Sequence, residues 1–179
     1  GDAGSETLVI VGFSGAVLSV SGDQTSDLED LGTANLNAVD GTLQDMVAVG
    51  RAGVYRFSDD TWAFEGAGFS GALNDVYIGA LGTFAVGDSG GVLQHSDGVW
   101  QQVNLGITND LHGIDGTDTM IWVVGEGGVI LSYDGSEWET LDSGVSENLW
   151  GIWVSSLGTP FAVGSGGTAI VGVEEGFQQ

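Results

Sequence analysis

The sequence predicts an all-β protein, a β-propeller of about five short four-stranded blades with incomplete terminal blades. Three marks carry that reading, and all keep one period of about 38 residues. A Val-Gly pair with a second glycine three positions on occurs at Gly12/Gly15, Gly50/Gly53, Gly87/Gly90, Gly125/Gly128 and Gly164/Gly167. Leu followed three residues later by Val or Ile falls at Leu36/Val39, Leu73/Val76, Leu111/Ile114 and Leu149/Ile152. Trp62, Trp100 and Trp138 form the third mark. Such self-similarity belongs to architectures whose units bury their apolar faces only against one another. A β-solenoid would use a shorter repeat and ranks second.

Each unit reads as four strands, A to D, separated by turn residues. In the third complete unit these are Leu111 to Ile114, Met120 to Val124, Val129 to Tyr133 and Trp138 to Leu141. Gly-x-x-Gly between B and C supplies positive φ for a tight hairpin, and Asp97-Gly98 and Asp134-Gly135 do so between C and D. No helical period is sustained, and glycine every five or six residues would be costly inside helices. The units run about 7–35, 36–72, 73–110, 111–148 and 149–179 within a single domain, whole or part of a longer chain.

The chain enters at a B strand (Thr7 to Val11) and reaches a last C strand at Ala169 to Val173. Glu175-Gly176-Phe177 stands where an Asp-Gly-x-Trp turn would be, with only two residues after it. This predicts two three-stranded terminal blades in a five-bladed ring, or five consecutive blades of a longer propeller. An open arc would expose two apolar blade faces and invite self-assembly.

Composition narrows the function. The chain of 179 residues carries 25 Asp and Glu against two Arg, a net charge of −23, with 42% hydrophobic residues, so it can bury a core despite its acidity. A field this negative repels phosphate backbones and anionic lipids, which excludes nucleic acid as a partner. No apolar run approaches the roughly 18 residues of a membrane span, so direct membrane insertion is not expected. The absence of Cys removes disulfides, thiolate metal sites and a Cys nucleophile. Carboxylates almost without cations destabilise a compact chain at low salt, and molar salt screens that repulsion. The composition resembles that of halophilic proteins; an acidic secreted protein from a moderate habitat is the alternative. A start at Gly1-Asp2-Ala3 fits either a processed, exported form or an excerpt.

The segments Ser58-Asp59-Asp60-Thr61-Trp62, Ser96-Asp97-Gly98-Val99-Trp100 and Asp134-Gly135-Ser136-Glu137-Trp138 resemble shortened Asp boxes of BNR, sialidase-like, propeller repeats. Leu149-Trp150-Gly151-Ile152-Trp153 through Phe161-Ala162-Val163-Gly164-Ser165-Gly166-Gly167 is similar to repeats of photosystem II assembly-factor-like propellers and related bacterial and archaeal surface proteins. The resemblance implies a propeller that hosts either enzymes or binding scaffolds.

Trp62, Trp100 and Trp138 are expected to wedge between blades, and Gly12, Gly50, Gly87, Gly125 and Gly164 to serve the turns. His95 occupies the place of Phe57 and Tyr133 and reads as an aromatic substitute. The position after the Leu mark, Asn37, Asn74, His112 and Trp150, is variable and partly polar, and with Tyr77 and Trp153 it is the candidate binding set on one rim. Arg51 and Arg56 are the only arginines and straddle one hairpin, too few for a sialidase carboxylate clamp. No Gly-x-Ser-x-Gly, Walker or HExxH motif occurs. Acid-rich loops such as Ser26-Asp27-Leu28-Glu29-Asp30 offer hard oxygen ligands for Ca²⁺ or Na⁺, without EF-hand spacing, and no cofactor is required. There is no N-glycosylation sequon.

The leading expectation is a non-catalytic protein- or glycan-binding module on an exported, extracellular surface structure such as a cell envelope, filament or virion. The rival is a secreted carbohydrate-acting propeller enzyme, a glycosidase or lyase using two carboxylates. An assembly factor like the photosystem propellers ranks last, because the resemblance implies basic recognition patches that this chain lacks.

Overall fold

The computed structural model describes residues 7–21, 23–32, 34–173 and 176–178. The chain forms five antiparallel sheets in succession. Blade 1 holds β1 (Thr7–Val11), β2 (Ala16–Ser21) and β3 (Gln24–Asp30); blade 2 holds β4 (Leu36–Thr42), β5 (Asp45–Gly50), β6 (Gly53–Ser58) and β7 (Thr61–Phe64). Blade 3 comprises β8 (Leu73–Gly79), β9 (Gly82–Gly87), β10 (Gly91–Ser96) and β11 (Val99–Val103). Blade 4 comprises β12 (Leu111–Gly116), β13 (Ile121–Gly125), β14 (Ile130–Tyr133) and β15 (Trp138–Leu141). Blade 5 comprises β16 (Leu149–Val154), β17 (Pro160–Gly164), β18 (Ala169–Val173) and β19 (Gly176–Gln178).

Strand order within each sheet follows the chain, so every connection inside a blade is a hairpin. Blade 1 is three-stranded, lacking an A strand among the described residues. Blade 5 corrects the expectation that it stops at C: β19 pairs with β18 in the register Val171↔Gln178, Gly172↔Phe177, Val173↔Gly176. With two residues left after Phe177 a fourth strand looks too short to form, yet three residues, Gly176–Gln178, suffice to extend a sheet edge. The acid-rich segment around Ser26 is likewise strand β3 rather than loop. It forms an outer sheet edge, where charge discourages edge-to-edge pairing.

The turns follow local chemistry. Asp59-Asp60 and Asp97-Gly98 all have positive φ, the two-residue geometry whose twist matches antiparallel strands. Asp134 opens a longer turn by accepting from the Ser136 and Glu137 N–H groups and the Ser136 hydroxyl. These bonds, that from Glu137 foremost, hold its carboxyl down at about 2.

The first glycine of each Gly-x-x-Gly has a tertiary cause. A Cβ on Gly50, Gly87, Gly125 or Gly164 would run into the carbonyl of Asn35, Ala72, Asp110 or Asn148, in the loop entering strand A. That carbonyl accepts the N–H of the residue after the glycine, at 3.2 Å for Arg51, 3.0 Å for Asp88 and 2.8 Å for Glu126 and Ser165. The backbone approach excludes any side chain. Gly12, in the blade with no strand A among the described residues, meets no described residue within 4 Å.

The core lies between blades. Val47, Val49 and Val54 of blade 2 pack on Leu73, Val76, Ala85 and Leu93 of blade 3. Phe84, Val86 and Val92 pack on Leu111, Ile114, Ile121, Val123 and Leu131 of blade 4. Val124 and Ile130 meet Leu149, Ala162 and Ile170, and Val17 meets Leu36 and Ala48. Each fully buried leucine of the Leu mark contributes roughly 2–3 kcal/mol. Trp100 packs on the blade 2/3 cluster, Trp138 on the blade 3/4 cluster and Trp62 on the blade 1/2 cluster. Trp138 also stacks on Tyr133 and meets Phe84 edge-on.

Sandwiched strands are buried on both sides, and the ends are not. β5 and β9 are buried along almost their whole length, whereas β1 and β17 alternate between covered and exposed residues. Phe84 and Val86 are 0% exposed; Phe161 and Val163, in the same repeat columns of blade 5, are 42% and 56% exposed. Leu8 and Ile10 on β1 are 61% and 42% exposed. Among the described residues, the outer faces of blades 1 and 5 are open halves of the interface that joins the inner blades.

Candidate binding rim

The residues after the Leu mark share a backbone device. In blades 2 to 5 the pairing of strand A with B shifts register between Leu36 and Ala38, Leu73 and Asp75, Leu111 and Gly113, and Leu149 and Gly151. The extra residue in each bulge is Asn37, Asn74, His112 or Trp150. A bulge breaks the alternation and re-aims one side chain, here toward the next blade in the first two cases. Asn37 Nδ2 donates to the Leu73 carbonyl at 2.8 Å and Asn74 Nδ2 to the Leu111 carbonyl at 2.9 Å. His112 stacks on Trp150, ring centroids 4.3 Å apart, and its buried Nε2 has no partner. Trp150 Nε1 donates to Ser165 Oγ at 2.8 Å while the ring stays 54% exposed.

Tyr77 and Trp153 occupy one column further along strand A. Tyr77 is buried and donates its hydroxyl to the Thr117 carbonyl at 3.1 Å. Burial, then the charges of Asp115, Asp118 and Asp40, push its pKa up. No blade follows that of Trp153 among the described residues; it lies 60% exposed beside Phe161, centroids 5.6 Å apart. The nominated residues therefore divide. Asn37, Asn74 and Tyr77 tie successive blades together, whereas His112 with Trp150, and Trp153 with Phe161, form two aromatic pairs, with both indoles open to solvent at blade 5.

A ladder of carboxylates runs along the inner strands and sequence reasoning passed over it. Asp40 accepts the Ile78 N–H at 2.6 Å, Asp75 the Ile114 N–H at 2.9 Å and Asp115 the Val154 N–H at 2.6 Å, each across a blade boundary. Asp75 is partly buried like the other two, and its pKa is pushed up to about 6. Burial is the largest cause; the Ile114 and Val76 N–H donors oppose it, and Asp40 and Asp115 add repulsion. The folded protein thus holds a proton that the unfolded chain releases, so stability falls as pH rises from about 4 to about 6 and then levels. Asp75→Asn should flatten this slope, and the wild type should lose about 2 kcal/mol more than the variant between pH 4 and pH 7. Urea melts at the two pH values check it, and equal slopes would refute a proton-holding Asp75.

A second missed column precedes the Leu mark. Asn35 Oδ1 accepts the Ser14 N–H, Asp110 Oδ1 the Ser89 N–H and Asn148 Oδ1 the Gly127 N–H, so each side chain caps the hairpin of the preceding blade. Its signal was the recurrence of Asx before Leu. Ala72 breaks the pattern, and the blade 2 hairpin it would cap is a plain two-residue turn through Arg51 and Ala52.

His95 packs on Trp100, centroids 5.2 Å apart, with its Nε2 buried and unpartnered. Arg56 pairs with Asp45 at 2.6 Å. Among the described residues no three His, Asp or Glu side chains come together to hold a metal ion. A groove of about 820 Å³ between blades 4 and 5 is lined by Trp122, Leu141, Pro160 and Phe177, where other blades place a D-strand indole. No helix is long and apolar enough to cross a membrane among the described residues.

No protein family matches the sequence, and no curated protein matches it. Solved structures do. YCF48, a photosystem II assembly factor, bound to a D1 peptide superposes with a TM-score of 0.71 at 13% identity over 99% of this chain and 70% of that one. The WD40 β-propeller domain of Doa1 gives 0.78 at 14% identity, over 97% of this chain and 64% of that one. XC5397, a gluconolactonase from Xanthomonas campestris, gives 0.70 at 19% identity, over 96% and 70%. The chain has the β-propeller fold and spans 64% to 70% of the length of these three chains.

Proposed function

We propose that this chain is a non-catalytic interaction module that binds a protein or glycan partner through the exposed aromatic residues of blade 5, within an exported surface structure adapted to high salt. The observation that carries the reading is how the polar groups of the inner strands are used. Asp40, Asp75 and Asp115 each hold a backbone N–H of the next blade, as Asn37 and Asn74 hold carbonyls, so the inner strands act as a rigid frame. Trp150, Trp153 and Phe161 present large apolar surface beside that frame, the residue types that dominate binding energy at interfaces. The solved complex of YCF48 with a peptide supports a protein partner, and the net charge of −23 favours a basic one.

The test titrates basic aromatic synthetic peptides and a panel of neutral oligosaccharides against tryptophan fluorescence. Saturable binding that weakens at least tenfold in Trp150→Ala and Trp153→Ala, with melting temperature unchanged, is expected. Binding indifferent to both substitutions would refute the assignment.

One observation favours a second reading, a carbohydrate-acting enzyme. Desolvation pushes the Asp75 pKa up to about 6 beside two other carboxylates, a direction that suits a general acid, and the gluconolactonase shares the fold. Turnover of a sugar lactone or glycoside that disappears in Asp75→Asn would establish it over the binding module.

A further inference from the structure

We propose that the groove between blades 4 and 5 is a binding site for a small aromatic cation, an arylalkylamine of indole size. Its walls are strands of two blades that both lie within the described residues. Pro160 lines it, and neighbouring residues of a strand point to opposite faces, so it lies across blade 5 from the exposed Phe161. The site therefore does not rest on the aromatic residues of the rim.

The groove exists because blade 5 breaks the repeat. In blades 2, 3 and 4 strands C and D carry a ring paired with an indole: Phe57 with Trp62, His95 with Trp100 and Tyr133 with Trp138, centroids 5.4, 5.2 and 4.9 Å apart. Between blades 3 and 4 this pair meets Phe84 of the preceding blade, 5.4 Å from Tyr133 and 5.8 Å from Trp138. The same two columns of blade 5 hold Gly172 and Phe177, opposite each other on β18 and β19. One ring is gone and the other is smaller, while Trp122 stands in the Phe84 column of blade 4 with no ring contact among the described residues. Gly172 cannot regain a side chain, because its Cβ would come within 2.5 Å of Pro160 Cγ. The space left, about 820 Å³, is within the range of small-ligand sites.

The polar groups of the groove select the ligand. Trp122, Ser132 and Glu139 lie opposite one another across β13, β14 and β15, so their side chains leave blade 4 on one face. Ser132 is only 7% exposed, and its hydroxyl has no hydrogen-bond partner among the described residues. Such a group carries a desolvation cost that a ligand N–H, donating to Ser132 Oγ, would relieve. Glu139 adds a carboxylate at the open side, and the net charge of −23 favours a cation over an anion. The indole of Trp122 suits both the ring and the charge of the ligand, by stacking and by attraction of a cation to its face.

Tryptamine titrated calorimetrically into the whole chain serves as probe, and saturable binding of one molecule per chain is expected. Cyclohexylethylamine keeps the charge without the flat ring, and indolepropionate keeps the ring with the opposite charge; each should bind at least tenfold more weakly. Ser132→Ala should weaken tryptamine about fivefold. Phe177→Trp, which restores the residue of the other blades and refills the space, should abolish binding without lowering the melting temperature. Neither residue lies on the rim, so these losses place the ligand in the groove. No saturable tryptamine binding, equal binding of either analogue, or undiminished binding to either variant would each overturn the proposal. So would a Lys-Trp-Lys peptide that binds a hundredfold more tightly than tryptamine, since the groove would then take a partner's side chain.

Discussion

Gly87→Ala should destabilise the protein by about 3 kcal/mol, whereas Gly12→Ala should change stability by less than about 0.5 kcal/mol. Both glycines occupy the same position of the same repeat, both have extended backbone near φ −170°, and neither substitution removes a left-handed conformation. They differ in what lies opposite. The new methyl at 87 would fall on the Ala72 carbonyl, with Leu73 Cα at 3.0 Å behind it. Moving that loop means giving up the Asp88 N–H bond to the same carbonyl and the Ala72 N–H bond to Asp88. Backbone cannot swing aside as a flexible side chain does, so the cost sits at the upper end of overpacking. For a chain of this size the loss corresponds to about 6–12 °C in melting temperature. Calorimetry on the two variants decides it, and equal effects would show that the close approach is not what the glycine serves.

The second large effect is expected from salt. Raising NaCl from about 0.05 M to about 2 M should lift the melting temperature by about 10 °C or more. With 25 acidic and two basic residues the surface is nearly all of one sign, and one of those two cations, Arg56, already pairs with Asp45. Repulsion among the carboxylates opposes the compact state and acts over about 10 Å at 0.1 M salt, against about 3 Å at 1 M. Asp40, Asp75 and Asp115, which repel one another along the inner strands, are part of this term. A melting temperature that stays flat or falls across the series would remove the high-salt habitat from the proposal.

How much of this was legible depended on the range of the interaction behind each feature. The turn at Asp97-Gly98 could be placed because positive φ is a property of two adjacent residues. The repeat could be placed because Gly50, Leu73 and Trp100 each answer the same packing problem once per blade. Asn37, Asn74, His112 and Trp150 could be aligned as one column, but not assigned: two of them bond to the next blade, and one is left half open because no further blade covers it among the described residues. Asp75 looked like one carboxylate among 25, and only the contacts of Ile114, Val76, Asp40 and Asp115 distinguish it. β19 was missed because only two residues follow Phe177, and that so short a segment still forms a strand is decided by its pairing with β18.

The amino-acid sequence by itself determined the period, the order of strands, the hairpin positions and the sign of the surface field, since these rest on local sterics, on side-chain size and on charge counted along the chain. The tertiary structure alone decided which apolar faces are covered. Ile10 and Ala48 stand in one repeat column, yet one faces solvent and the other is buried, because burial is conferred by the neighbouring sheet and not by the residue that seeks it.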